Sequence, residues 1–367
     1  MNITKIEVIP FSVPINSFAD AYTGFATSNA VLVKIHAEDG TIGFGEACAW
    51  EPEFYGETIE SVSSTIDKYV SPHIIGQNPF NINHIMSIID AKIARLTCVK
   101  EGIDLALHDL VGKLLGVPVY TLLGGSFRDK IPVASEIGID TPEEMAKNAL
   151  RVVDLGIKVI KIKGSHDMNL DIKRIYSVRE AVGDQVELRL DPNAAWTTMG
   201  TIKTMNQLEE CKLQLLEQPI PGWDLKGMSH IRNSIGIPLM ADEGIWTPQD
   251  VIKIAENGAA DLINIKIAKS CGLHLGKKIE AVAETVGIPC IAGTEIEPGF
   301  SLIAKLHFAA SIKEHPIASE FTELTLLKAN ILNHKIEIED GCVKVPNGPG
   351  FGVELDEEIF ERYIVKC

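Results

Sequence analysis

Five charged residues recur along the second half of the chain at nearly equal intervals. Lys163, Asp191, Glu217, Asp242 and Lys266 follow one another at spacings of 24 to 28 residues. Each ends a short apolar run that is typical of a β-strand. The three central residues are carboxylates, which are oxygen ligands suited to a hard cation such as Mg²⁺. The two outer residues are lysines, which can transfer protons once their pKa is lowered.

The elements that must position these residues are repeated β-strand and helix units. After residue 130, β-rich runs alternate with helical segments such as 143–154 and 248–257. The predicted strands cover residues 131–137, 159–163, 187–191, 213–217, 238–242, 262–266, 289–294 and 316–321. Eight parallel strands favour a closed barrel. An open doubly wound sheet is the alternative, although no G-x-G-x-x-G follows the first strand.

A barrel would bring the charged strand ends together on one face. Its second and sixth strands lie on opposite sides of the axis, so Lys163 and Lys266 would face each other across a metal ion. Lys161 lies two residues before Lys163 and points to the same side of the strand. Both the metal and Lys161 are expected to lower the pKa of Lys163. Removal of a proton beside a carboxylate would then give an enediolate, which a divalent metal can stabilise.

The first part of the chain has a different pattern of predicted secondary structure. Antiparallel strands are predicted over residues 3–13, 30–36 and 41–46, with an Asp39-Gly40 turn before the third. Residues 58–116 carry apolar side chains at helical spacing. The tail from residue 348 is expected to leave the barrel and pack on this first part.

The composition excludes several classes of partner. A formal net charge of −16 argues against binding to nucleic acid or to an anionic membrane. The seven cysteines are scattered without a C-x-x-C pair, as expected for reduced thiols. The amino terminus lacks the apolar run of a signal peptide, and no stretch of about 18 apolar residues occurs. A cytoplasmic enzyme acting on a small molecule is the prediction.

The motifs around the charged residues resemble the enolase superfamily and, within it, the muconate lactonizing enzyme subgroup. The matching segments are Lys161-Ile162-Lys163, Leu190-Asp191-Pro192-Asn193-Ala194-Ala195-Trp196, Glu217-Gln218-Pro219, Ala241-Asp242-Glu243 and Asn264-Ile265-Lys266-Ile267-Ala268-Lys269. Upstream, residues 106–113 and 122–125 resemble the family's junction between the capping domain and the barrel. The resemblance covers nearly the whole chain.

The resemblance implies an α/β protein, with a modified TIM barrel (β/α)₇β and an N-terminal α+β capping domain. The capping domain would comprise residues 1–128, completed by the tail 348–367, and the catalytic barrel residues 129–347. The carboxylates Asp191, Glu217 and Asp242 would bind Mg²⁺, or Mn²⁺ in its place. Lys163 and Lys266 would be the acid/base pair, with Lys161 as a third catalytic residue. The substrate would be a small carboxylate, and the enzyme would be a homo-oligomer.

The resemblance also implies where the substrate binds. Two loops of the capping domain, 18–27 and 50–56, would close over it, with aromatic surface from Tyr22, Phe25, Trp50, Phe54 and Tyr55. Ordinary packing between the domains is the alternative explanation for these aromatic residues. The late barrel strands would contribute further substrate contacts from Thr294, Glu295, Glu297, Glu320 and Phe321.

Three sites near the ends of the last barrel strands are relevant to substrate specificity. Dipeptide epimerases of the family carry Asp-x-Asp at the end of the eighth strand, whereas this chain has Glu320-Phe321-Thr322 and keeps one acid. Glu320 is more similar to the acidic position of the cycloisomerases. Glu297 matches a family glutamate, with a salt bridge to Lys266 as its alternative role. Cys271 stands where the family usually has glycine, and no partner histidine supports a nucleophilic role.

Two opposed lysines favour racemisation or epimerisation at the α-carbon of an amino-acid derivative or dipeptide. Cycloisomerisation, or a dehydratase reaction by syn β-elimination, is the alternative for a small carboxylate. A catalytically inactive barrel that serves only in binding is a third hypothesis. The presence of all three predicted metal ligands argues against it.

Overall fold

The computed structural model describes residues 1–49 and 52–366. Trp50 and Glu51, which belong to the second predicted substrate loop, lie outside the described residues, as does Cys367 at the end of the tail.

The first domain begins with an antiparallel meander of three strands in the order β1-β2-β3. The strands are β1 (Ile3–Ala19), β2 (Gly24–Ala37) and β3 (Ile42–Cys48). The helices that follow are α1 (Pro52–Tyr55), α2 (Ile59–Thr65), α3 (Ser71–Ile74), α4 (Ile82–Lys92), α5 (Thr97–Leu115) and α6 (Val119–Leu122), with a π-helical turn (Ile66–Val70) between α2 and α3. Strand β3 packs directly on α5. A Cβ atom at Gly45 would stand 2.1 Å from the carbonyl oxygen of Gly102, so only glycine permits this approach.

The second domain is a barrel of eight parallel strands. They are β4 (Lys130–Ile137), β5 (Val159–Lys163), β6 (Glu187–Asp191), β7 (Leu215–Glu217), β8 (Leu239–Ala241), β9 (Leu262–Ile265), β10 (Cys290–Ala292) and β11 (Ser319–Glu320). Neighbours pair in sequence order from β4 to β10, and β11 pairs with β4. Between β10 and β11, the backbone N–H of Ala292 donates to Ser319 Oγ over 2.9 Å. The closed barrel is thus confirmed, and the open sheet is excluded.

Helices cover the outside of the barrel. They are α7 (Pro142–Asp154), α8 (Met168–Val182), α9 (Thr198–Gln207), α10 (Leu225–Arg232), α11 (Pro248–Asn257), α12 (Leu273–Val286) and α13 (Phe300–Ser311), with the short helices α14 (Glu323–Leu326) and α15 (Glu357–Phe360) after the last barrel strand. Thr141 caps α7 by accepting a hydrogen bond from the backbone N–H of Glu144, and proline follows at the first helical position.

The barrel interior is layered because side chains two residues apart share a strand face. Leu215, Met240, Leu262 and Ile291 form a buried apolar cluster within it. Two residues beyond Leu215 and Met240 come Glu217 and Asp242, so charged side chains replace apolar ones toward the carboxyl ends of the strands.

The structure differs from the prediction in three details. Most of residues 18–27 belong to strands rather than to a loop, because β1 extends to Ala19 and β2 begins at Gly24, so that only residues 20–23 form the turn. The later barrel strands are shorter than their apolar runs, since only a few residues of each make ladder hydrogen bonds. A hairpin of β12 (Ile338–Glu339) and β13 (Cys342–Lys344), joined to β4, was not predicted.

The tail packs on the first domain. The ring centroids of Phe11 and Phe360 lie 5.1 Å apart, and the N–H of Val365 donates to the carbonyl of Pro10 over 3.0 Å. The N–H of Phe351 also donates to Asp109 Oδ1 on α5 over 2.8 Å. The exact domain boundaries stay a prediction.

Buried carboxylates join the two domains. Glu46 on β3 accepts a hydrogen bond from the N–H of Phe300, and Glu101 on α5 accepts one from Ser301 Oγ at 2.8 Å. Burial, reinforced by the charge of Glu297, raises the pKa of Glu46 to about 8. The interface therefore holds a proton that the unfolded chain would release at neutral pH.

This raised pKa predicts a pH-dependent stability. Between the ordinary pKa of about 4.3 for glutamate and the folded value of about 8, unfolding releases a proton, so stability falls as pH rises. We expect the wild type to lose about 2 kcal/mol more unfolding free energy than Glu46→Gln between about pH 5.5 and 7.5. Urea titrations at both values measure this difference. An equal loss in both proteins would contradict it, and the exposed substitution Glu38→Gln serves as the control.

Candidate active site

The register of the parallel strands brings the predicted ring of charged residues together. Lys163 on β5 is directly paired with Asp191 on β6, and its Nζ lies 2.8 Å from Asp191 Oδ2. Glu217 ends β7, while Asp242 and Lys266 directly follow β8 and β9. The three carboxylates are completely buried, and the lysines are 4% and 7% exposed. Because β5 and β9 are four strands apart in a barrel of eight, the lysines approach from opposite sides.

Lys161 is the centre of a buried ion-pair network. Its Nζ lies 2.7 Å from Glu136, 2.8 Å from Glu320, 3.0 Å from Glu217 and 3.4 Å from Asp191. The side chain is completely inaccessible to solvent. These are the contacts of a residue that neutralises carboxylates.

The two opposed lysines have matching surroundings. Lys163 lies between Asp191 and Glu136, at 2.8 and 3.4 Å. Lys266 lies between Asp242 and Glu295, at 2.9 and 3.1 Å. Each lysine thus contacts one carboxylate that is predicted to bind the metal and a second carboxylate that is not a predicted metal ligand.

These contacts determine the direction of the pKa shifts. Burial alone would lower the pKa of Lys163, but Asp191 and Glu136 outweigh it and raise the pKa. Lys161 does lower the pKa of Lys163, as predicted, but its effect is smaller than that of the carboxylates. Burial also opposes ionisation of Asp242, yet Lys266 and Lys269 hold its pKa below the usual range. Lys161 thus acts in the predicted direction, and the expected fall in the pKa of Lys163 with a metal ion bound stays a prediction.

The donor set fits a hard divalent ion. Among the residues described, no group of three histidine, cysteine or acidic side chains is arranged to hold a metal as the side chains stand. The reason is that each carboxylate is turned toward a lysine. Asp242 Oδ2 nevertheless has no hydrogen bond of good geometry, although Lys266 is close. Burial, followed by the charge of Glu320, also raises the pKa of Glu217, and a metal cation would relieve that cost.

A small cavity, with a volume of about 20 Å³, lies between these residues and the first domain. The described residues that line it are Phe18, Asp20, Tyr22, Phe54, Glu136, Lys163, Asn193, Glu243, Lys266, Thr294, Glu295 and Ile296. It therefore includes both opposed lysines and reaches the tip of the β1–β2 hairpin.

Two of the four described aromatic residues predicted to contact substrate line this cavity. Tyr22 donates a hydrogen bond to Glu243 Oε1 over 3.2 Å, and Phe54 stacks on Trp246 with ring centroids 5.4 Å apart. Tyr55 packs behind them, with its ring 6.1 Å from that of Trp246. Phe25 packs with the cluster around Phe18 and does not line the cavity. Both residues pack near the cavity wall, and their contact with the substrate stays a prediction.

Two of the five predicted late-strand residues, Thr294 and Glu295, line the cavity. Glu297 is buried against Lys305 at 2.8 Å, so its predicted alternative partner, Lys266, is wrong. Glu320 is buried against Lys161. Phe321 is completely buried, with Lys305 Nζ 4.7 Å from its ring centroid.

The sequence prediction did not name six of the described cavity residues as site residues: Phe18, Asp20, Glu136, Asn193, Glu243 and Ile296. The sequence contained indications for three of these residues. Asn193 and Glu243 stand one or two residues beyond predicted ligands, and Glu136 is next to the end of the first predicted strand. Burial, together with the charges of Asp242 and Asp191, raises the pKa of Glu243 to about 7.

Backbone strain is concentrated at the same end of the barrel. Asn193, Ala194, Gln218, Cys271 and Ile296 all follow barrel strands and have φ between 25° and 62°. Such left-handed conformations are costly for residues other than glycine and cluster at functional sites. They show that the loops carrying the cavity residues are held in place by surrounding contacts.

Cys271 occupies a backbone position that favours glycine, with φ at 55°. Burial raises the pKa of its thiol to about 12, and Cys271 does not line the cavity. The structure offers no support for a nucleophilic role.

Elsewhere, none of the helices in the described ranges combines the length and apolar character needed to span a membrane.

Comparison with known proteins agrees with this geometry. Residues 4–124 match the family "Mandelate racemase / muconate lactonizing enzyme, N-terminal domain", and residues 144–359 match "Enolase C-terminal domain-like". The chain is 37% identical to an L-Ala-D/L-Glu epimerase of Clostridium acetobutylicum, over 85% of this chain and 87% of that protein. It is 32% identical to muconate cycloisomerase 1 of Rhodococcus opacus, over 99% and 98%.

Solved structures extend the comparison. The N-succinyl Arg/Lys racemase of Bacillus cereus superposes with a TM-score of 0.95 at 32% identity, covering 100% of this chain and 99% of that one. A dipeptide epimerase of Enterococcus faecalis, complexed with Mg and the dipeptide L-Leu-L-Tyr, superposes with a TM-score of 0.92 at 31% identity, covering 96% and 100%. These relatives are all isomerases, and the chain belongs to the mandelate racemase/muconate lactonizing enzyme family of the enolase superfamily.

Proposed function

We propose that the protein is a divalent-metal-dependent racemase or epimerase that removes the proton α to a carboxylate, on an amino-acid derivative or dipeptide. The observation that carries the proposal is the pair of lysines, Lys163 and Lys266, which come from opposite barrel strands and line one cavity. Reversing the configuration of a carbon requires a proton to leave from one face and to return on the other.

Asp191, Glu217 and Asp242 would hold the ion, Mg²⁺ or Mn²⁺. Three buried carboxylates at the ends of successive strands support this assignment, as does the Mg in the related epimerase structure. When bound, the ion would stabilise the negative charge of the enediolate and weaken the hold of the carboxylates on the lysines.

Lys163 Nζ would take the α-proton from one face of the substrate, and Lys266 Nζ would deliver a proton to the opposite face. In the reverse direction the lysines would exchange roles. For this transfer, the lysine that takes the proton must be a neutral amine and the lysine that delivers one an ammonium, and Glu136 and Glu295 would keep the two Nζ groups oriented because each contacts one lysine. Lys161, beside Lys163 on β5, would neutralise the carboxylates beneath the site, and any direct catalytic role for it stays a prediction.

Cycloisomerisation is the second candidate. Glu320 supports it, because this chain keeps one acid at the end of the eighth strand, as the cycloisomerases do. Such a reaction requires only one of the lysines to act. The matching surroundings of the two lysines favour the reaction that uses both.

Incubation in D₂O with candidate substrates and Mg²⁺ tests the proposal. A racemase or epimerase should introduce deuterium at the α-carbon, interconvert the two configurations and leave the amount of substrate plus epimer constant. Removal of the metal with EDTA should stop both processes, and added Mg²⁺ or Mn²⁺ should restore them. Exchange without inversion, or inversion that persists without metal, would contradict the proposal. Formation of a lactone or loss of water would support the alternatives.

The dipeptide bound to the related epimerase of Enterococcus faecalis supports a small-molecule substrate. The cytoplasmic location and the homo-oligomeric state stay predictions, which fractionation and light scattering would test.

A further inference from the structure

We infer that Glu57 of the first domain is a positioning residue for Lys266. Glu57 fixes helix α1, whose residues Phe54 and Tyr55 hold Lys266 in place from outside the barrel. The inference rests on the proposed function. It adds that the first domain acts on one of the two opposed lysines, so that proton transfer at one face of the substrate depends on the contact between the domains.

Glu57 caps a helix that is distant in sequence. Helix α5 begins after Leu96, which has a left-handed backbone conformation with φ at 44° and supplies no side-chain cap. The carboxylate of Glu57 takes this role, because Oε1 accepts the N–H of Cys98 over 2.9 Å and Oε2 accepts the N–H of Val99 over 3.2 Å. Glu57 is only 1% exposed. A buried carboxylate is well held there, since the first N–H groups of a helix have no partner within the helix.

This anchor fixes the end of helix α1. The N–H of Gly56 donates to the carbonyl of Pro52 over 2.8 Å, and Gly56 has φ at 73°, a left-handed conformation that ends the helix. Glu57 is the next residue. Tyr55 is thus only two residues from a side chain that is bound to α5, and the position of α1 over the barrel depends on that bond.

Helix α1 contacts the surroundings of Lys266. The ring centroid of Phe54 lies 5.8 Å from Lys266 Nζ. Burial raises the pKa of Glu295, whereas the charge of Lys266 and a hydrogen bond donated by Tyr55 oppose that rise. Glu295 in turn lies 3.1 Å from Lys266 Nζ. Two adjacent residues of α1 therefore act on Lys266, one directly and one through a carboxylate.

Lys163 is held from within the barrel. Its ion-pair partners are Asp191 on β6 and Glu136 on β4. Glu136 is fixed by the barrel as well, because it contacts Lys161 on β5 at 2.7 Å. A displacement of α1 is therefore expected to disturb Lys266 more than Lys163.

Exchange measured separately for the two substrate configurations tests the inference. The configuration that depends on Lys266 is the one whose α-deuterium exchange Lys266→Ala abolishes. At saturating substrate with Mg²⁺, Glu57→Ala should lower kcat for exchange of that configuration by about tenfold or more, since small displacements of catalytic groups are costly. Exchange of the other configuration should stay close to that of the wild type. KM should rise for both, because Phe54 also lines the cavity.

Two further variants separate positioning from folding. Glu57→Gln keeps the size of the side chain and one acceptor oxygen, so it should show a smaller loss with the same selectivity. Tyr55→Phe removes only a hydroxyl and should also slow the Lys266-dependent exchange selectively. Combined with Glu57→Ala, it should lose less than the product of the two single effects, because Glu57 acts through Tyr55.

The ratio of the two exchange rates decides the outcome. Equal slowing of both configurations in the Glu57 variants would indicate a general loss of folded protein and would overturn the inference, as would rates equal to those of the wild type. Independent effects in the double variant would overturn it as well. Absence of α-exchange in the wild type would instead refute the proposed function, and the inference with it. The exposed substitution Glu60→Gln on α2 is the matched control, and it should preserve both rates.

Discussion

Replacement of either opposed lysine by alanine is expected to abolish racemisation, with a loss on the order of 10³ in kcat. The physical reason is that one base can remove the α-proton from one face, but nothing then protonates the other face. Lys163→Ala and Lys266→Ala should differ in a revealing way. Each should retain slow α-deuterium exchange with only one of the two substrate configurations, namely the one whose proton faces the surviving lysine.

Exchange measured separately for the two configurations in D₂O provides the test. Lys173→Ala, an exposed lysine on α8, is the matched control and should behave as the wild type. Circular dichroism would establish that the variants fold. A variant of either cavity lysine that racemises at the wild-type rate would refute the two-base mechanism. Loss of exchange for the same configuration in both variants would assign a single base, as cycloisomerisation requires.

Replacement of Lys305 by methionine is expected to give the largest loss of stability, about 3–5 kcal/mol in unfolding free energy. Lys305 is completely buried on α13 and pairs with Glu297 at 2.8 Å and Glu323 at 2.6 Å. Methionine fills a similar volume but leaves two buried carboxylates without their cation. Urea denaturation of Lys305→Met and the wild type at neutral pH measures the difference.

Charge removal provides the control. The triple variant Lys305→Met, Glu297→Gln, Glu323→Gln should recover much of the loss, because it removes the unpaired charges together with their partner. Lys335→Met breaks an ion pair in which both side chains are more than half exposed, and no measurable change is expected. Lys305→Met with the stability of the wild type would show that these buried ion pairs do not stabilise the fold.

The barrel and its ring of charges could be predicted because both follow from periodicity. Strand runs recur at the length of one strand-helix unit, and each run ends in a charged residue. Predicted strands 159–163 and 187–191 coincide with β5 and β6. The hairpin β12–β13 was missed because its strands have only two and three residues, too few to show alternation.

The cavity lining was harder to predict because it depends on tertiary contacts that no local pattern encodes. Glu297 and Glu320 resemble substrate ligands in sequence, yet cations elsewhere in the fold, Lys305 and Lys161, bind them below the cavity. Glu136 on β4 lies beside Lys161 on β5 in the sheet. In the chain these two strands are separated by helix α7, so no local pattern reveals that the two residues are neighbours. Likewise, Phe25 pairs with Phe18 in the β1–β2 ladder and does not line the cavity.

The direct pairing of Lys163 with Asp191 has a consequence for how this protein can evolve. A single insertion or deletion within β5 or β6 would turn the following side chain to the other face of the strand and remove it from the ring. The loops beyond the strands carry no such constraint. Natural variants should therefore tolerate changes of length in those loops and acquire new substrates there, while the spacing inside each strand stays invariant.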